Sequence, residues 1–200
     1  MNVDSTIYTD VRGENTFIYD INENLPSYRF ILIGDSLDNI IREIQIYVGG
    51  STELLQKIEI YNEIEPPYRD ANYFGRADFN FDGYYDIMLL SGWGVTGNEN
   101  YLIWLFKIDS GVFVYNEQLS SFDLPEINPI KKEITSLYKG GYGYYHYYTY
   151  KYDNNKYNLI SELEIFCDEK NEYAIRRESM IKNGKMEVIS TKKILCGDFE

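Results

Sequence analysis

A chain of 200 residues is long enough to bury a core as one domain without staples. Its formal charge of −13, from 32 acidic against 19 basic residues, excludes nucleic acid and anionic membrane as natural partners, because both need lysine and arginine to neutralise phosphate. No apolar run approaches the roughly 18 residues of a transmembrane helix, and the surplus of acids suits a cation or a basic protein instead.

Tyrosine is over-represented at 21 residues, beside 10 Phe and 2 Trp, and aromatic enrichment favours strands. The opening Met1 to Thr6 shows neither the basic nor the apolar region of a signal peptide. Residues 1–26 read as an N-terminal arm or opening edge strand, ending near Pro26, with a single β domain over 27–200. A short buried-type strand covers 28–33 and is closed by Gly34-Asp35. Alternation at Ile44, Ile46 and Val48 marks a strand over 40–48, Gly49-Gly50-Ser51 turns the chain, and 54–61 returns as the second arm of a hairpin. Pro66 and Pro67 make 63–72 a loop, since neither can donate to a ladder.

An acidic loop then leads into an apolar strand over 86–92. Glycines 92, 94 and 97 link it to an aromatic strand over 100–107 that holds Trp104, and Asp109-Ser110-Gly111 turns into a strand over 112–115. Residues 116–132, with Pro125 and Pro129, read as irregular. Strands follow over 132–139, 142–152 and 157–166, separated by Gly140-Gly141 and by the turn at 153–156. The last two cover 172–181 and 185–195 around Asn183-Gly184, the strongest hairpin signal in the chain. About eleven short strands without a long helix predict an all-β chain of antiparallel sheets, in a β-propeller-like or sandwich-like domain. The segments are too unlike one another for a complete multi-blade propeller.

The last three strands, as a meander, place Cys167 and Cys196 at the same end of the sheet and one strand apart. A disulfide there needs some loop movement to close, and a reduced pair is the alternative.

The densest chemistry lies in residues 76–93, RADFNFDGYYDIMLLSGW. Asp78, Asn80 and Asp82 put oxygen on every second residue, Gly83 follows, and Asp86 adds a fourth side chain. This pattern describes a loop curled around a hard cation, and Ca2+ fits because it takes six to eight oxygens, backbone carbonyls among them. The expected ligands are Asp78, Asn80, Asp82 and Asp86, with the carbonyl of Tyr84 between them; Gly83 supplies the sharp turn. The twelfth position of an EF-hand loop is occupied by Leu89 rather than glutamate, so the loop enters a strand and not an EF helix. An Asp/Asn-rich turn without metal uses the same residue types.

Asp78-Phe79-Asn80-Phe81-Asp82-Gly83-Tyr84-Tyr85-Asp86 resembles the D-x-N-x-D-G-x-x-D calcium loop of FG-GAP repeats, known from integrin α chains and β-propellers. The run 101–106, then 110–116, Leu119-Ser120, Asn128-Pro129 and the SLYKGG of 136–141 extend the likeness. Over about residues 40–165 the chain is similar to bacterial cell-envelope proteins related to a periplasmic calcium-binding immunity lipoprotein. The resemblance implies Ca2+ as cofactor and a lysozyme-like (muramidase) partner, namely an effector of a type IV secretion system that such a protein inhibits. It implies a periplasmic, envelope or extracellular location once a signal peptide has been removed. Lysozyme inhibitors present a Ser-Gly and a Tyr to the enzyme's cleft, which makes Ser91, Gly92 and Tyr101 the candidate partner-binding residues, with the glycine-tyrosine turn at 140–145 a second candidate.

Catalysis is not expected. His146 is the one histidine, it sits in a tyrosine strand, and no nucleophile elbow lies near it. Three scattered Cys and His residues do not make a zinc site. The alternatives to an inhibitor are an adhesion or interaction module with a tyrosine-rich face, and a carbohydrate-active enzyme built on a carboxylate pair.

Overall fold

The structure is a computed structural model and describes residues 8–9, 15–35, 40–64, 73–141, 143–168, 170 and 172–197. The Pro66-Pro67 loop and most of the first fourteen residues lie outside the described residues. The chain gathers into two compact units: the described residues up to Gly92 with Tyr101–Ser120, and Trp93–Asn100 with those from Ser121 onward.

In the first unit, β1 (Tyr8–Thr9), β2 (Asn15–Tyr19), β3 (Tyr28–Asp35), β4 (Ile40–Val48) and β5 (Gln56–Ile64) form one antiparallel sheet in chain order. A second sheet holds β6 (Phe74–Ala77), β7 (Asp86–Trp93), β8 (Glu99–Lys107) and β9 (Val112–Tyr115), again in chain order. Alternation decides which side chains meet. Phe17 and Tyr19, then Tyr28, Phe30 and Leu32, then Ile44 and Ile46, are all buried from the first sheet. Ile87, Leu89, Phe106 and Phe113 come from the second and join them in one cluster, so the unit is sandwich-like, two sheets closing on a shared core. Phe30 lies 5.5 Å from both Phe74 and Phe113, ring centre to ring centre. Each such ring contributes about 1.5–3 kcal/mol by burial. The Tyr19 hydroxyl avoids a desolvation cost by donating to the Phe74 carbonyl at 2.8 Å. Gln56 adds a two-way amide link, donating to the Phe113 carbonyl and accepting its N–H, both at 2.8 Å.

A single-turn helix, α1 (Glu117–Ser120), follows β9. Asn116 caps it by accepting the Leu119 N–H at 2.9 Å.

The second unit is a six-stranded meander: β10 (Glu126–Asn128), β11 (Glu133–Gly141), β12 (Tyr144–Asp153), β13 (Lys156–Cys167), β14 (Tyr173–Lys182) and β15 (Lys185–Leu195). Two of its two-residue turns carry positive φ at both central residues, Asn154 and Asn155 at 51° and 60°, and Asn183 and Gly184 at 51° and 76°. This geometry matches the twist of the flanking strands.

The described residues form fifteen strands rather than about eleven. The additional ones include β2, inside the segment read as an arm or opening edge strand, and β6 and β10. They are three to five residues long, too short to show a period of two. Likewise the region 116–132, read as irregular, contains α1 and β10.

Cys167 and Cys196 form a disulfide. Cys167 ends β13 and pairs with Ala174, while Tyr173 pairs with Leu195, so the bond straddles the start of β14. No loop movement is needed, because the two Cα atoms already lie 5.7 Å apart. Gly143, at φ 74°, supports the site; a Cβ there would fall 2.6 Å from the Cys167 sulfur. Closing a loop with a sequence separation of 29 stabilises by about 3–4 kcal/mol in the chain-entropy model. The double variant Cys167→Ser/Cys196→Ser should lose most of that in urea denaturation, and an unchanged midpoint would show that the bond constrains nothing.

Candidate metal-binding loop

The acidic loop is the turn of the β6–β7 hairpin, whose last ladder pair is Ala77 with Asp86. Inside it the oxygens face the loop's own N–H groups. Asp78 accepts from Asp82 N at 3.1 Å and from Gly83 N at 3.0 Å. Asn80 Oδ1 accepts from Asp82 N at 3.2 Å, and Asp82 Oδ1 from Tyr84 N at 2.9 Å. These i to i+2 contacts are Asx-turns, the local bonding that Asn and Asp favour outside regular structure. Asn80 also donates to Asp82 Oδ2 at 2.7 Å. Phe81 and Gly83 both take positive φ, 59° and 89°.

The loop is tied down from outside as well. Gly83 O accepts from Asn22 Nδ2 at 2.9 Å, and Tyr85 N donates to Ile21 O at 2.8 Å. Phe79 is buried, and the Tyr84 ring lies 5.6 Å from Phe106. Sequence reading missed Asn22, which lies 61 residues from its partner and carries no motif. Arg76, the cation beside the acids in sequence, is engaged elsewhere: its guanidinium donates to the Asp20 carbonyl and lies 5.4 Å and 4.8 Å from the Tyr19 and Tyr85 rings.

Asp86 differs from the other acids. It is fully buried, Oδ2 accepts the Phe79 N–H at 2.8 Å, and Oδ1 accepts the Phe106 N–H at 2.9 Å. One carboxylate thus fastens the loop, the start of β7 and β8. Burial pushes its pKa up to about 7 against the pull of those two N–H groups, and the charges of Asp82 and Asp78 add to the rise. Asp78 is raised too, by burial first, with Asp82 reinforcing it against its own backbone hydrogen bonds.

The donor set suits a hard cation in kind, being all oxygen, and the raised acids are what an added positive charge would relieve. The side chains do not converge: among the described residues no three His, Cys, Asp or Glu group closely enough to hold a metal ion. Each carboxylate oxygen keeps a second lone pair, so an ion would have to draw Asp78, Asn80 and Asp82 together.

Of the candidate partner-binding residues, Ser91 and Gly92 lie near the end of β7 and are half-buried, and Tyr101 in β8 packs against the first unit's core. Between Gly92 and Tyr101 the exposed apolar side chains are Trp93 and Val95, which were not singled out from sequence. Within the second unit, Asn98 bridges to β11 in both directions, donating to the Lys139 carbonyl at 3.0 Å and accepting its N–H at 2.8 Å. Among the described residues no helix is long and apolar enough to cross a membrane.

Fold and site together define an all-β protein with an acid-lined hairpin loop entering a buried strand. No protein-family model matches the chain, and no curated protein does. Among solved structures, a Xanthomonas protein described as related to the type IV secretion system shares its fold, with a TM-score of 0.63 at 20% identity over 93% of this chain and 98% of that one.

Without added metal, the Asp86 carboxyl holds its proton in the folded state to about pH 7, whereas an unfolded aspartate releases it near pH 4. Folding therefore takes up a proton between these values. Stability should be greatest below about pH 4 and fall by about 3–4 kcal/mol toward pH 7 from this group. Chemical denaturation of chelator-treated protein across that range, with Asp86→Leu as the variant lacking the slope, measures it.

Proposed function

We propose that the chain is a calcium-stabilised bacterial envelope protein that acts by binding, as an immunity protein against a lysozyme-like effector of a type IV secretion system. The observation that carries this reading is the fold shared over nearly the full length of both chains with a type IV secretion system related protein. The D-x-N-x-D-G-x-x-D loop at 78–86 supports it independently. In this reading Asp78, Asn80, Asp82 and Asp86 hold Ca2+ with the Tyr84 carbonyl. The ion balances the repulsion between the loop's acids and fixes the angle at which β7 leaves the loop. The charge of −13 favours encounter with a basic partner, and Ser91, Gly92 and Tyr101 mark the contact region.

A second reading, an interaction module without inhibitory action, is favoured by the row of half-buried tyrosines along β12. The two separate in an assay of muramidase activity on peptidoglycan. Inhibition at stoichiometric protein is expected, and Gly92→Glu should abolish it without unfolding the chain, because nothing lies within 4 Å of a Cβ at that position. Binding without any loss of hydrolysis would favour the module.

The ion has its own readout. Adding Ca2+ to chelator-treated protein should raise the melting midpoint, and Asp82→Ala should weaken the metal by on the order of tenfold or more. Identical midpoints with and without Ca2+ would remove the metal from the account.

A further inference from the structure

A cluster on the β11–β14 face of the second unit is used neither by the acid loop nor by the 91–101 segment. The ladder sets Tyr138 opposite His146, His146 opposite Glu164, Tyr148 opposite Glu162, and Glu164 opposite Arg177. Directly paired residues share a face, and Tyr144, two residues from His146, joins them. His146 stacks on Tyr148 with ring centres 3.9 Å apart, and Tyr144 stands edge-on to Tyr138 at 6.4 Å. Gly140 makes room for this: a Cβ there would lie 2.5 Å from Tyr144 Cδ1.

The polar contacts are specific but unequal. The Tyr148 hydroxyl pairs with His146 Nδ1 at 2.8 Å, and Tyr144 donates to Glu164 Oε1 at 3.1 Å. Arg177 Nη1 holds Glu164 Oε2 at 2.9 Å. Glu162, by contrast, meets among the described residues only His146 Nε2, 3.5 Å away, and that buried nitrogen makes no hydrogen bond there. Glu162 and Glu164 therefore have one permanent cation between them, Arg177. Burial first, and then the negative field of the glutamates, raise the hydroxyls of Tyr144 and Tyr148 above the ordinary phenol range.

We propose that this face binds an arginine side chain of a basic protein partner, with Glu162 as its charge partner and the rings of Tyr138 and Tyr144 on the same face. The shortfall of one positive charge sets the sign of the ligand. A planar guanidinium can span a carboxylate with two parallel N–H bonds and lie against an aromatic ring, whereas an ammonium is a compact point charge. Tyr138 is 43% exposed and Glu162 28%, so the group is reachable.

Because His146 is the one histidine of the chain, its imidazole NMR signals report on the site without ambiguity. Titrating the full chain with N-acetyl-arginine methylamide should shift them along a saturable curve. The uncharged citrulline analogue and chitobiose should not. Glu162→Gln should weaken the arginine probe about tenfold or more, and Glu187→Gln on β15 should leave it unchanged. Tyr138→Leu should weaken it about three- to fivefold, as one lost cation–π contact would, and serves alone if the Gln variant does not fold. Absence of a saturable shift, equal response to citrulline or chitobiose, or undiminished binding in both site variants would overturn the proposal.

Discussion

The carboxylate of Asp86 is the constraint around which the first unit is arranged. With no solvent contact, it accepts one N–H from the acid loop and one from β8 while standing at the first residue of β7. Hydrogen bonds to an ionised group contribute more than neutral ones, about 1.5–3 kcal/mol each, but removing a lone charge from water costs several kcal/mol. Burial prevails here, which is why the acid is weak. The loop is thereby held in shape by its own backbone, while its acids remain short of positive charge. That combination explains how one segment can be a stable Asx-rich turn and still have the composition of a cation site.

The two units solve burial differently. The first hides one face of each sheet, and its core is built largely of rings, from Phe17 and Tyr19 to Phe106 and Phe113. The second has few fully buried apolar residues, among them Ile134, Tyr157, Ile165 and Ala174. Its long strands are instead half-covered by tyrosines, whose rings tolerate burial while the hydroxyl stays wet or bonded. Tight asparagine turns fix its register, and the Cys167–Cys196 bond closes one end. A sheet of this kind leaves polar side chains on display, and the Tyr-His-Glu cluster on β12 and β13 arises from that.

Strand-forming segments were readable wherever alternation ran long enough. The three strands predicted over 157–166, 172–181 and 185–195 form as β13, β14 and β15 within a residue or so at each end, because Asn183-Gly184 admits few conformations and pins the register. The short strands β6 and β10 were not readable, since three or four residues carry too little period and depend on a neighbour to pair with. Sequence marked every oxygen of the acid loop yet gave no sign that Asp86 would turn to Phe106, 20 residues on, or that Arg76 would leave the acids for Asp20 and two tyrosine rings.

Sequence by itself therefore determined the all-β class, the hairpin turns, the acid loop and the separation of 29 between the cysteines, because each rests on local backbone preference or on spacing along the chain. Tertiary structure alone decided which acid is buried, that the cysteines meet, and that Glu162 lacks a full counter-charge. Those are properties of groups brought together from distant strands, and no local pattern encodes the burial or the neighbours that set them.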